Sequence, residues 1–466
     1  MVFSSLIFLF YFLPATFFLH LILPARCRNF VLFALSLLFY SWGEPVCVVL
    51  MLASITANYA FGLLIGRRRW PRFFFAAAII FNLALLIFFK YAGFLTENLR
   101  LLTGMQPVLP ELPLPLGISF YTFQAMSYII DVFRGTVPPQ KNFIAFGTYI
   151  ALFPQLIAGP IVRYRDIALQ LKQRSLSACG LSAGTMLFCC GLAKKVLLAN
   201  SAGLIFDGVL RELSGGPVSA LSAFLGIAAF TVQIYFDFSG YSDMASGLGR
   251  MLGFSFPRNF NYPYISQSVT EFWRRWHMTL SSFFREYVYI PLGGNRRGPA
   301  RQAANLLIVW LLTGIWHGAS YNFLLWGLYF GLLLILEKHL LAPVLSRLPK
   351  VLRHLYALLL IGLGWVIFSV EQLPQIWLYL TALTGRFGFA DSTGLYLLHS
   401  HLPFLLLSAL GATPLPARLF SRLCGRLKAH PGLLSCLKSG LLLCALFLVT
   451  ASLVASSFNP FLYFRF

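Results

Sequence analysis

Charge is scarce in this sequence: 11% of its 466 residues are charged and 58% are hydrophobic, with a mean hydropathy of +0.76. A soluble globular domain carries roughly a quarter charged residues, so that class is excluded. Acid is scarcer still, with 14 Asp and Glu against 36 Lys and Arg and a formal net charge of +22. So few carboxylates leave little for ion coupling, which argues against a coupled transporter. The eight cysteines form no Cys-x-x-Cys pair and no metal-ligand spacing with histidine, which leaves a disulfide framework and a zinc site without basis. There is no internal repeat, low-complexity tract or nucleic-acid motif, and no metal site is expected. One membrane domain over 1–466 is the simplest partition.

Long apolar runs fill the chain instead. Stretches near the 20 residues a helix needs to cross a bilayer recur at 3–23, 30–40, 46–65, 73–89, 116–130, 143–161, 183–206, 220–236, 306–336, 355–370, 395–410 and 440–454, some of them short. The fold class that follows is all-α and polytopic, with roughly ten to thirteen transmembrane or re-entrant helices. The first run has no basic residue before it and Arg26 and Arg28 after it, the reverse of a signal peptide, so it reads as retained with the N-terminus outside.

The basic clusters at 67–72, 163–174, 274–301, 338–353 and 418–428 read as cytoplasmic loops by the positive-inside rule. Stretches 91–115 and 207–217 then fall outside, and 220–236 returns the chain to the cytoplasm for the long section 237–305. Because 338–353 is again inside, 305–337 must enter and leave on one face. Two arms of about 15 residues would each reach about 23 Å, short of the roughly 30 Å of hydrocarbon, which places the turn within the membrane. The alternative is one tilted helix. Both termini fall outside, with the aromatic tail 459–466 at the outer face.

His317 sits where that turn is expected, in the run 306–336 that carries no formal charge. An ionisable group at such a depth is a candidate for function, and Gly314 and Gly318 beside it mark a break of the kind that lines a cavity. A second histidine, His277, lies on a stretch, 268–291, that reads as one amphipathic interfacial helix. Ser268 and Glu271 match a capping box, Pro291 and Gly293 supply a stop, and Trp273, His277, Leu280, Phe284 and Tyr287 share an aromatic face. Each histidine alone fits a packed, hydrogen-bonded side chain. Two from separate elements that face one cavity suit general-base chemistry, since a neutral imidazole tolerates burial and accepts a proton from a hydroxyl.

Other candidates have plainer readings beside them. Arg296, Arg297 and Arg301 read as topology anchors or as a cluster that binds phosphates or an acidic partner. Asp237 and Asp243 flank a Ser-Gly turn and read as structural. Tyr463 is either an aromatic-belt anchor or a phenol that takes part in chemistry at the outer face.

Three motifs carry a resemblance: Glu271-Phe272-Trp273-Arg274-Arg275-Trp276-His277, Tyr289-Ile290-Pro291-Leu292-Gly293-Gly294-Asn295-Arg296 and Gly314-Ile315-Trp316-His317-Gly318-Ala319. They resemble the membrane-bound O-acyltransferase family. The stretches 116–124, 153–160 and 235–244 and the tail resemble its bacterial polysaccharide branch, that of the alginate O-acetyltransferase membrane subunits. The resemblance implies helices around a central tunnel, His317 as the catalytic histidine and His277 at an upstream polar position. It also implies a bacterial inner-membrane location and a cytoplasmic thioester donor, acetyl-CoA or an acyl-carrier protein, with no tightly bound cofactor. An extracytoplasmic acetyltransferase partner and a polysaccharide acceptor complete the expected set. A teichoic-acid D-alanyl transfer subunit is the alternative within the family. A polysaccharide or lipid transporter and a non-catalytic scaffold are the alternatives outside it.

Overall fold

The computed structural model describes residues 1–104 and 114–455. Among them the chain is helical with no strand. Among the described residues, eight helices are long and apolar enough to cross a membrane: Cys47–Gly66, Pro71–Thr103, Ala178–Gly215, Ala220–Met251, Tyr321–Arg347, Lys350–Ser369, Ser392–Gly411 and Pro431–Ala455. Shorter apolar helices cover Phe8–Ile22 and Leu373–Leu383. The architecture is all-α and polytopic, and most exposed side chains on the spans are apolar, as a lipid-facing surface requires.

The chain divides into two compact units. The first comprises Met1–Phe188 and Tyr241–Arg258. Its core is aromatic: Phe3, Phe8, Phe12, Phe39 and Phe153 meet ring to ring, and Phe3 stacks on Tyr241 at 4.7 Å. Two spans of this unit are joined by a buried amide pair, in which Asn82 donates to Asn58 Oδ1 at 2.7 Å and Asn58 donates back to Asn82 Oδ1 at 3.1 Å. Such reciprocal bonds satisfy polar groups that lipid would leave unpaired.

The second unit comprises Cys189–Gly240 and Asn259–Phe466. It contains a buried ion pair, Lys195 Nζ to Asp237 Oδ1 at 2.8 Å, and Lys195 also donates to Asn200 Oδ1 at 3.0 Å. The expected turn at Ser239-Gly240 is absent, because the helix Ala220–Met251 runs straight through it. Gly240 serves packing rather than bending: a Cβ there would lie 2.7 Å from Gly191 O, so the bare backbone lets the turn carrying Lys195 approach. The 91–115 loop is also partly helical, through Ala92–Thr103, and ends on Gly104 with φ of 71°. Residues 105–113 lie outside the described part.

The run 305–337 forms a helical hairpin rather than one tilted helix. Its arms are Pro299–His317 and Tyr321–Leu336, and the second continues through a π-turn, Glu337–Leu341, to Arg347. The helical stretches are 19 and 27 residues, longer than the 15 the charge map suggested, because helix begins at Pro299 and persists past Leu336. Arm length therefore does not fix the depth of His317. The arms touch at small residues: a Cβ on Gly314 would collide with Phe323 O, and one on Gly327 would sit 2.5 Å from Trp310 O.

Candidate active site

The segment expected as a single amphipathic helix is broken at the histidine it carries. Val269–Arg275 is helical, Trp276 is extended, His277 adopts φ 43° and ψ 53°, and helix resumes over Met278–Phe284. A left-handed conformation in a non-glycine residue is strained and persists only where its surroundings fix it. They do so through Asn259, whose backbone carbonyl accepts from Met278 N at 2.9 Å. Its side-chain Oδ1 accepts from Thr279 N at 3.3 Å and Thr279 Oγ1 at 2.9 Å, and lies 3.1 Å from His277 Nδ1.

This arrangement decides the histidine's tautomer. The backbone N–H of Thr279 must donate, so the Asn259 atom it meets is the carbonyl oxygen, and His277 Nδ1 must carry its proton to bond there. The lone pair is then on Nε2, which is buried with no hydrogen-bond partner among the described residues. Burial pushes the imidazole down to about 3, so the ring is neutral and an acceptor at physiological pH.

The start of the same segment is also clamped. Ser268 Oγ accepts from Glu271 N at 2.9 Å, while Glu271 reaches back to Gln267 N at 2.9 Å, one residue before the expected reciprocal partner. The remaining donors of this helix end are met by Glu337, which is buried. Its two oxygens accept from Val269 N at 2.6 Å, Thr270 N at 2.8 Å and Thr270 Oγ1 at 2.6 Å. A carboxylate at a helix N-terminus is favoured by both hydrogen bonding and the helix dipole.

His317 is the last residue of its helix and is buried among rings: Trp316 at 4.9 Å, Trp326 at 5.0 Å and Phe368 at 5.3 Å between centroids. Trp316 is also 6.1 Å from the His277 ring, so one indole neighbours both imidazoles. Both histidines line one cavity of about 720 Å³, with Trp273, Trp276, Trp310 and Thr313 in its wall. That volume is within the roughly 300–1,000 Å³ usual for ligand sites. Trp273 is held among Trp310, Trp326 and Phe330 at centroid distances of 4.6, 5.5 and 4.9 Å, which stiffens the apolar wall.

The cavity also carries positive charge. Arg274, Arg285, Lys338 and Arg353 line it, and among the described residues none of the four forms an ion pair. The carboxylates nearby are engaged, Glu271 with Arg275 at 2.8 Å and Glu337 with the helix end. Arg296, Arg297 and Arg301 are exposed on the following turn and helix start and do not line the cavity. Tyr463 lies outside the described residues. Among the described residues no group of acidic, histidine or cysteine side chains is positioned to hold a metal ion.

Sequence reasoning missed Asn259, Glu337 and the cationic lining. Asn259 acts across 18 residues of chain and has no local signature. The positive residues of the lining were visible but were absorbed into the topology count. Glu337 was a clue, since it is a lone carboxylate at the end of an apolar run, and such a group needs a partner.

The membrane-bound O-acyltransferase family model matches residues 136–369, which include both histidines and the whole cavity wall. The chain is 43% identical over 403 residues to a probable alginate O-acetylase, AlgI, of Azotobacter vinelandii, covering 84% of this chain and 79% of that protein. It is 33% identical over 426 residues to a peptidoglycan O-acetyltransferase of Helicobacter pylori, covering 83% and 80%. Similarity to a teichoic acid D-alanyltransferase of Bacillus subtilis is lower and shorter, 28% over 229 residues, or 47% of this chain and 58% of that protein.

Proposed function

The chain belongs to the membrane-bound O-acyltransferase family and is a multi-pass membrane O-acyltransferase of the O-acetylating kind, and on that premise we propose that it carries an acetyl group from a cytoplasmic thioester to a hydroxyl of an extracytoplasmic polysaccharide. The observation that supports this reading best is the single cavity that gathers His277, His317 and four cations. A thioester already has a good leaving group. The protein must chiefly align the acceptor, take its proton and keep water away.

We assign His317 as the general base. The acceptor oxygen attacks the thioester carbonyl as its proton passes to the imidazole, the C–S bond breaks, and the imidazolium returns the proton to the departing thiolate. His277, with its Nε2 lone pair facing no protein donor, orients substrate by accepting a hydrogen bond. Arg274, Arg285, Lys338 and Arg353 suit the phosphates of acetyl-CoA or an acidic carrier protein, and the similarity to O-acetylating relatives favours acetyl over D-alanyl transfer. The reading places the enzyme in a bacterial inner membrane with both termini outside, an extracytoplasmic acetyltransferase partner, and Tyr463 as a relay at the outer mouth.

The test is turnover of purified, reconstituted protein with acetyl-CoA and an oligosaccharide acceptor. Free CoA should appear in step with acetylated sugar, and a D-alanyl carrier thioester should not substitute. Binding or translocation of sugar without any broken thioester would return the protein to the transporter class.

A further inference from the structure

The first unit holds a second cationic site that the proposed reaction does not use. Arg174 Nη1 donates to Asn29 Oδ1 at 2.6 Å and also reaches Gln170 O at 3.4 Å. Asn29 is itself fixed, donating to Leu171 O at 2.8 Å. Phe254 lies under the guanidinium, 4.7 Å from its central carbon, so one face is covered as well. What this leaves is the edge formed by Nε and Nη2, the two parallel donors with which arginine grips an oxyanion. Both atoms are buried and have no hydrogen-bond partner among the described residues.

Two neighbours accompany it. Arg28 precedes Asn29 in the chain and lies within electrostatic range of Arg174, and its Nε is likewise buried and unpartnered. His20 is fully buried, feels both guanidinium charges, and faces the backbone of Leu252. Arg174 and Arg28 form no ion pair among the described residues. Guanidinium groups do not shed their protons, and holding two half-buried like charges near each other with unpartnered buried N–H groups and no counter-ion is costly. A fork pinned on its other nitrogen and stacked on a ring is built to receive an anion, and the donors come from three side chains, more than one planar carboxylate would satisfy.

We propose that Arg174, Arg28 and His20 form a binding site for a phosphate group, either inorganic phosphate or the headgroup of an anionic phospholipid. The full-length protein, purified in detergent and stripped of lipid, is unfolded by heat in two arms. One adds sodium phosphate against sodium chloride at equal ionic strength, and the other adds phosphatidylglycerol against diacylglycerol of the same chains. The midpoint should rise in at least one arm, since a ligand that binds only the folded state stabilises it. Arg174→Gln and Arg28→Gln should each weaken the apparent affinity by about tenfold or more, and Arg174→Lys, which keeps the charge but loses the fork, should not restore it.

A response to phosphate identifies a free-anion site, and a response to phosphatidylglycerol alone identifies a lipid site. No rise over the matched control in either arm, or variants that respond like the wild type, would overturn the proposal. Should Arg174→Gln fail to fold, Arg28→Gln and Arg174→Lys carry the same comparison.

Discussion

The two histidines of the cavity come from regions built on different terms. His317 ends a regular helix in a hairpin held by glycine contacts, with rings packed around it. His277 sits at a left-handed break between two short helices, held by hydrogen bonds that Asn259 accepts and approached from the other end by Glu337. The hairpin is local and periodic, so it tolerates any substitution that preserves shape. The break is assembled from distant polar atoms, so its weak points are single bonds.

The comparison can be broken first at His317. His317→Ala should lower acetyl-CoA turnover by about 10²–10⁴-fold, the range a general base supplies, without dissolving the hairpin. Retention of a tenth of the activity in a folded variant would remove His317 from the base role. Tyr463→Phe run alongside separates relay from anchor, because a relay loses acetylated product while an anchor keeps it.

Asn259→Ala should come next, with a fall of about 10- to 100-fold, because it frees the tautomer of His277 and leaves Thr279 N unpaired at a cost of about 1–3 kcal/mol. Asn259→Asp is sharper. A carboxylate at Nδ1 should raise the imidazole's proton affinity and bring the acid limb of the pH–rate profile toward neutrality. An unchanged profile would mean that His277 does not touch the reaction.

A smaller effect is expected at the charged lining. Arg274→Gln with Lys338→Gln should raise KM for acetyl-CoA by about tenfold, with kcat little changed and the salt dependence reduced, whereas the triple change at Arg296, Arg297 and Arg301 should leave KM nearly unaltered. The opposite pattern would move the donor site from the cavity to the exposed turn.

The smallest is acid stability. The folded value for His277, about 3, lies below its ordinary 6.5, so between those values the unfolded chain binds the extra proton. The stability in question is complete above about pH 6.5 and is lost as pH falls toward 3, by at most about 1.4 kcal/mol per pH unit. Thermal midpoints of the wild type should therefore drop more steeply from pH 6.5 to 4 than those of His277→Gln. Parallel curves would show that the ring is hydrated.

Much of this molecule was legible in its residues. The apolar runs gave the helical class, and Gly318 ended the helix directly after His317, because spans and interruptions are written in local composition, whereas Gly314 stays inside that helix and serves packing. Ser268 capped a helix where expected, yet the helix stopped at Arg275, since the force that turns the chain at His277 comes from Asn259, which no periodicity marks. Arginines mislead for another reason. Positive charge serves topology and ligands alike, so only the fold separates Arg274 and Arg285, which line the cavity, from Arg296 and Arg297, which do not.

Glu337 makes one lever of these two regions. It stands on the arm whose other end adjoins the His317 turn, and it grips the start of the short helix that leads to His277. One carboxylate thus ties the foot of the hairpin to the helix end that precedes His277, so Glu337→Gln disturbs the His277 side of the cavity from a residue of the hairpin.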